Sequence, residues 1–289
     1  MNSRLHPSSS PATQGLSRAS PDRPALVVVD LAKQYATPQG SFTVFDDIHL
    51  TVQPGEIVCL LGASGCGKSS LLSTIAGLQP VDRGQIYLQG DRIHAPDPRI
   101  GLIFQEAALL PWLTVQQNVA LGLQLSHMPC LSRPELRSRI DQALISVGLE
   151  TFHRSYPHQL SGGMAQRAAI ARTIARDPQL LLMDEPFSAL DAITRLEMQQ
   201  LLLKIMAQQH CTALLVTHDI DEALLLGDRI LLMSRNPGRI HREWAVTIPQ
   251  PRVRHTADLM ALRAEIFAAL SEVMDRSTVP TPPHPLVTP

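Results

Sequence analysis

Gly62-Ala63-Ser64-Gly65-Cys66-Gly67-Lys68-Ser69 is the stretch on which the fold turns. An apolar run, Ile57-Val58-Cys59-Leu60-Leu61, precedes it and has the length of a strand buried on both faces. Leu71, Leu72 and Ile75 follow on one side of a helix. A strand that passes through a glycine-rich turn straight into a helix makes a cradle for anions. The glycines let backbone N–H groups come close, and the helix adds the positive end of its dipole. Lys68 supplies a point charge for the terminal phosphates of a nucleoside triphosphate, and the Ser69 hydroxyl suits Mg²⁺. The candidate nucleotide-binding residues are therefore Gly62, Ala63, Ser64, Gly65, Cys66, Gly67, Lys68, Ser69 and Ser70. The plain alternative is a turn with no ligand, and the flanking strand and helix count against it.

A second apolar run, Leu180 to Met183, delivers Asp184 and Glu185 at its carboxyl end, where open α/β sheets bind ligands. Asp184 is expected to hold Mg²⁺ and Glu185 to act as general base toward the attacking water. Further strands are expected at Ile100 to Phe104, Ala213 to Val216 and Arg229 to Met233, alternating with helical segments. That alternation implies an α/β protein with a parallel sheet covered on both faces. Ser132 with Glu135 forms a capping box, Pro134 suits a first turn, and Gly148 marks the stop of that helix. Leu259, Leu262, Ile266 and Leu270 predict an amphipathic helix over 257–275.

The bulk numbers bound the rest. The chain has 289 residues, 44% apolar but only 4% aromatic, so its core is aliphatic. A net charge of −1 gives no basic footprint for nucleic acid, and no nucleic-acid partner is expected. No apolar run approaches bilayer-spanning length, and Met1 to Pro24 lacks a secretory hydrophobic stretch. The chain is expected to stay in the cytosol and to touch a membrane only through a partner. Cys59, Cys66, Cys130 and Cys211 form no C-x-x-C pair and read as reduced thiols. The expected organisation is a disordered tail over 1–24, a nucleotide-binding domain over 25–250, a helical extension over 251–276, and a proline-rich tail over 277–289.

Four more positions gain meaning from their company. Gln105 follows a strand and can reach both the metal and the lytic water. His218 follows another strand and can donate to the γ-phosphate. Ser161-Gly162-Gly163 opens a second helix with an anion-ready N-terminus, although one cradle is already complete. The economical reading is that it closes over the γ-phosphate held by a second subunit, with Ser188 to Asp191 at the seam. Tyr35 either stacks on adenine or is ordinary packing. Trp112 either edges a groove for a partner helix or fills the chain's own core.

In combination these elements resemble the ABC-transporter ATPase family. Tyr35 corresponds to its aromatic loop, Gly62 to Ser69 to Walker A, and Gln105 to the Q-loop. Leu160 to Arg167 correspond to the signature, Asp184 and Glu185 to Walker B and its acid, and His218 to the switch histidine. The resemblance implies a P-loop NTPase fold, an ATPase domain over 25–250 with a RecA-like, mostly parallel core, an antiparallel β-subdomain and an inserted α-helical subdomain near 106–175, peripheral at the cytoplasmic face of the inner membrane. It also implies ATP and Mg²⁺ as cofactors, with Lys68, Gln105, Glu185 and His218 catalytic. Ser69, Gln105 and Asp184 would hold the metal, and the nucleotides would be sandwiched in a homodimer. The strings Leu110-Pro111-Trp112-Leu113-Thr114-Val115 and Asn236-Pro237-Gly238-Arg239-Ile240 look like those of importers for nitrate, alkanesulfonates and taurine. Integral membrane permease subunits, and indirectly a solute-binding protein, are the implied partners. The alternatives are a soluble relative acting on ribosomes or nucleic acid, and a nucleotide switch without turnover.

Overall fold

The computed structural model describes residues 23–38, 40–124, 131–252 and 256–275. The proline-rich tail, all but the last two residues of the N-terminal tail, and Cys130 lie outside the described residues.

The chain begins with a long antiparallel pair, β1 (Leu26–Thr37) and β2 (Gly40–Val52). The all-apolar run forms β3 (Ile57–Leu61), in which every residue is buried. The glycine-rich turn then leads into α1 (Lys68–Ile75). Next come β4 (Arg83–Leu88), β5 (Asp91–Arg92) and β6 (Ile100–Ile103). Between β6 and the next strand stand α2 (Val115–Leu123), α3 (Arg133–Ser146) and α4 (Gly162–Ile174). Then follow β7 (Leu180–Asp184), α5 (Ala192–Gln209), β8 (Thr212–Thr217), α6 (Ile220–Leu226), β9 (Arg229–Met233), β10 (Ile240–Ala245) and α7 (Ala257–Asp275).

The helix ends follow from local chemistry. Ser132 accepts from the Glu135 N–H while the Glu135 carboxylate reaches back to the Ser132 N–H, so α3 opens on a reciprocal capping box. Thr114 and Gln117 do the same for α2. Gly148, with φ +68, takes the left-handed conformation after α3 that a Cβ would strain.

Two sheets result. One is antiparallel, in the order β2-β1-β4-β5. The other runs β10-β9-β3-β8-β7-β6, parallel except for the antiparallel edge strand β10. Strand alternation splits the apolar residues of the parallel sheet into two cores. Leu181, Met183 and Leu215 face a cluster shared with α2 to α7. Leu180, Leu182 and Val216 face a cluster shared with α1 and the antiparallel sheet. Both faces are therefore dry, and each buried leucine contributes on the order of 2 kcal/mol. α7 seats Leu259 and Ile266 in the helical-side core and packs on α6.

Candidate active site

The sheet order places the site. β3, β8 and β7 are consecutive neighbours, with Leu61 opposite Thr217 and Val216 opposite Asp184. Their carboxyl ends therefore deliver the glycine-rich turn, His218 and the Asp184–Glu185 pair side by side.

Within the turn, Gly67 has φ +102, and a Cβ there would lie 2.9 Å from Val44 Cγ1, so glycine alone fits between the turn and β2. Lys68 is only 5% exposed. Its ammonium donates to the carbonyls of Gly62 at 2.7 Å and Ala63 at 3.2 Å. The cation is thus held inside its own loop, next to where phosphate oxygens would displace those carbonyls. Ser69 Oγ donates to Asp184 Oδ1 at 2.9 Å, bringing together two hard oxygen donors suited to a magnesium ion. Burial, and then the charge of Glu185, raise the Asp184 carboxyl above its usual range; the Ser69 hydroxyl and Lys68 pull the other way.

Glu185 holds a left-handed backbone, φ +44, which is rare and strained for a residue with a side chain. Its N–H is tied to the Val216 carbonyl at 2.9 Å, and its Oε2 lies 2.9 Å from His218 Nδ1. An ionised carboxylate only accepts, so in that form the pair calls for the tautomer of His218 with its hydrogen on Nδ1. Glu185, Lys68, Ser69 and Ser70 line one cavity of about 370 Å³. Tyr35 lines it too, with its hydroxyl bound to Gln79 Oε1 at 2.6 Å, and so does Phe42, its cross-strand partner.

Other candidate residues stand apart from that cavity. Gln105 is exposed just beyond β6, the strand next to β7. Ser161 caps α4, its Oγ accepting from the Met164 N–H at 3.3 Å, and Gly162 is exposed beside it. A Cβ at Gly163 would lie 2.5 Å from Thr194 Cγ2, so that glycine lets α4 approach α5. None of these four residues lines the cavity within the same chain. Cys66 is buried in the core beneath the turn, and burial pushes its thiol up, so it is shielded from alkylation.

Three neighbours of the site were not singled out from sequence. Phe42 and Val44 join Tyr35 and the turn only through the β1–β2 register; the apolar alternation of β2 was their one signal. Arg235, just after β9, donates to the Ser64 carbonyl. Nothing local marks it. The adjacent turn is stitched to β2 by Gly238 N–H to Val44 O at 2.9 Å and Asp46 N–H to Gly238 O at 3.0 Å.

A second, mostly apolar groove of about 510 Å³ lies between β6 and α4, with Phe104, Ala108, Leu121, Arg172 and Arg176 in its lining. Trp112 is 68% exposed, so it does not fill the chain's own core; it stands outside that lining.

Comparison with known proteins places the chain in a family. A family profile described as ABC transporter matches residues 45–188. An aliphatic sulfonates import ATP-binding protein of Burkholderia cenocepacia is 48% identical over 240 residues, covering 82% of this chain and 86% of that one. A bicarbonate transport ATP-binding protein of Synechococcus elongatus is 44% identical over 237 residues, 82% of this chain and 84% of that one. Among solved structures, a dimeric ATP-binding cassette in a post-hydrolysis state with ADP and Pi superposes with a TM-score of 0.68 at 33% identity, covering 78% of this chain and all of that one.

Proposed function

Because the chain belongs to the ABC transporter family and is one of its ATP-hydrolysing import subunits, we propose that the solute it energises is a small monoanion, an aliphatic sulfonate first. Aliphatic sulfonate and bicarbonate, the solutes in two relatives' names, share a single negative charge on a compact oxygen-rich head. Those import names also weigh against a soluble protein acting on ribosomes or nucleic acid.

One observation carries the catalytic reading: a buried lysine, a serine–aspartate oxygen pair and a glutamate–histidine pair converge at adjacent strand ends. ATP phosphates would draw the Lys68 ammonium off its two carbonyls. Ser69 and Asp184, with Gln105, would hold Mg²⁺, which supplies neutralisation of phosphate charge. Glu185 would accept a proton from the attacking water, and His218 would fix the Glu185 carboxylate by its hydrogen bond. Tyr35 and Phe42 would flank the base. Ser161, Gly162 and Gly163 lie outside the cavity of their own chain, which fits a cap that closes over the γ-phosphate bound to a second copy.

ATP would thus favour a closed dimer, and loss of phosphate would reopen it. The apolar groove beside Phe104 suits a helix of a membrane permease. Arg172 and Arg176 in its wall bond only to carbonyls and have no carboxylate partner among the described residues, so an acidic residue on that helix would complement them. No described helix is long and apolar enough to cross a membrane. As an import subunit the chain would sit peripherally on the cytoplasmic face, against its permease. A separate solute-binding protein would supply the cargo.

Deleting the gene in its source organism tests the cargo. Uptake of labelled alkanesulfonate is expected to be lost while nitrate and bicarbonate uptake persist. Unchanged sulfonate uptake with loss of either other anion would contradict the assignment.

A further inference from the structure

Glu222 is a carboxylate in the wrong place for stability alone. It lies on α6 and is 5% exposed. Its Oε1 is buried with no hydrogen-bond partner among the described residues. Burial, with the charges of Asp219 and Glu185 adding to it, pushes the carboxyl up to about 7; the Thr217 hydrogen bond and Arg195 oppose the shift. A leucine would avoid all of these costs. Groups held at such expense cluster where chemistry needs them.

Among the described residues its side chain accepts one hydrogen bond, and that bond shows what it holds. Thr217 Oγ1 donates to Glu222 Oε2 at 2.9 Å. The same oxygen accepts from the Asp219 N–H at 3.0 Å. Asp219 is the N-cap of α6, and its Oδ1 accepts from the N–H groups of Asp221 and Glu222. This is a capping box with a relay. The acid at the third helical position reaches the N-cap amide through a threonine hydroxyl rather than directly. The residue enclosed by the relay is His218, whose ring meets Glu185 at 2.9 Å.

We propose that Glu222 is a positioning residue for ATP hydrolysis, acting through Thr217 to hold the turn that aims His218 at Glu185. The inference rests on the reading of Glu185 and His218 as the hydrolytic pair. The charged form is the competent one. An ionised acceptor strengthens the Thr217 bond, whereas a protonated carboxyl adds a donor that has no acceptor in the buried site. The groups facing Glu222 are Arg195 from α5, Glu185 beyond β7, Asp219 at the cap and the Cys59 thiol on β3. α7 presents Arg263, which Asp221 engages at 2.7 Å.

The test compares steady-state ATPase of the full chain with Glu222→Gln, Thr217→Val and the double variant from pH 6 to pH 8. Glutamine mimics the protonated acid. The kcat ratio of the natural chain to Glu222→Gln should rise from about twofold at pH 6 to about tenfold at pH 8, with KM for Mg-ATP changed less than about twofold. A ratio that does not vary with pH would leave Glu222 a structural role only and overturn the proposal. Thr217→Val is nearly isosteric and decides the matter if Glu222→Gln does not fold: lower kcat at unchanged KM supports the relay, and unchanged kcat overturns it. In the double variant, a loss no larger than that of either single change supports one connected unit, while additive losses contradict it. His218→Ala is run alongside. Full turnover in that variant would sink the underlying catalytic reading, independently of what Glu222 does.

Discussion

At residue scale the proposed hydrolysis turns on Glu185, whose backbone is forced. A left-handed φ of +44, an N–H tied to β8 and a side chain tied to His218 leave the carboxylate one direction to point. Glu185→Gln keeps the shape and removes the base. Turnover measured by phosphate release is expected to fall by about 10²–10⁴-fold with ATP still bound. Unchanged steady-state ATPase would reject Glu185 as the base. Lys68→Ala removes the buried cation and should weaken Mg-ATP binding at least about tenfold in a titration. An unaltered dissociation constant would refute its phosphate role. Lys68, Ser69, Asp184 and His218 were legible in the sequence because each directly follows or lies within a local strand–turn–helix pattern. Phe42 and Arg235 were not, because cross-strand register brings one to the cavity and a tertiary hydrogen bond brings the other.

At the scale of elements, α4 links the site to the groove. Gln166 donates to the Phe104 carbonyl at 3.4 Å, and Arg172 donates to the carbonyls of Ala108 and Ala107 at 2.8 and 2.9 Å. The helix that begins at the Ser161 cap therefore grips the segment around Gln105. Arg172→Ala should lower unfolding free energy by about 1–3 kcal/mol, read by denaturant titration, since it strips two carbonyls of a charged donor. Stability equal to the natural chain would mean those carbonyls find other partners. α6 gives a pH signature. The Glu222 carboxyl titrates near 7 when folded and near 4.5 when unfolded, so the folded state binds the extra proton between these values. Stability should then fall as pH rises from about 5 to about 7, and Glu222→Gln should flatten that slope in thermal unfolding. A slope shared by both chains would contradict the shift. The two-sided burial of β3 and β7, the box on α3 and the stripe of α7 could be read from periodicity. β4, opening on Arg83-Gly84-Gln85, and β10, with its Arg242 and Glu243, could not. Each buries apolar residues of its own, Ile86 and Leu88 in β4 and Trp244 in β10, but its polar residues break the period that would mark a strand.

For the whole molecule, the decisive feature is a site that one chain leaves open. The cavity runs from Tyr35 and Phe42 through the glycine-rich turn to Glu185, yet the capped N-terminus of α4 sits outside its lining. Sequence could supply the surplus anion site but not its distance from the first, which depends on how α2 to α4 pack on the sheet. The account requires that Ser161 of one copy meet the nucleotide of the other. The most direct measurement is sedimentation of Glu185→Gln with Mg-ATP, alone and combined with Ser161→Glu, with bound nucleotide quantified. Glu185→Gln should run at about twice the 31.7 kDa chain mass. Addition of Ser161→Glu should leave a monomer that still holds its ATP, because the new carboxylate repels only the partner's phosphate. A Ser161→Glu chain that dimerises as readily, or that loses nucleotide while monomeric, would contradict the account.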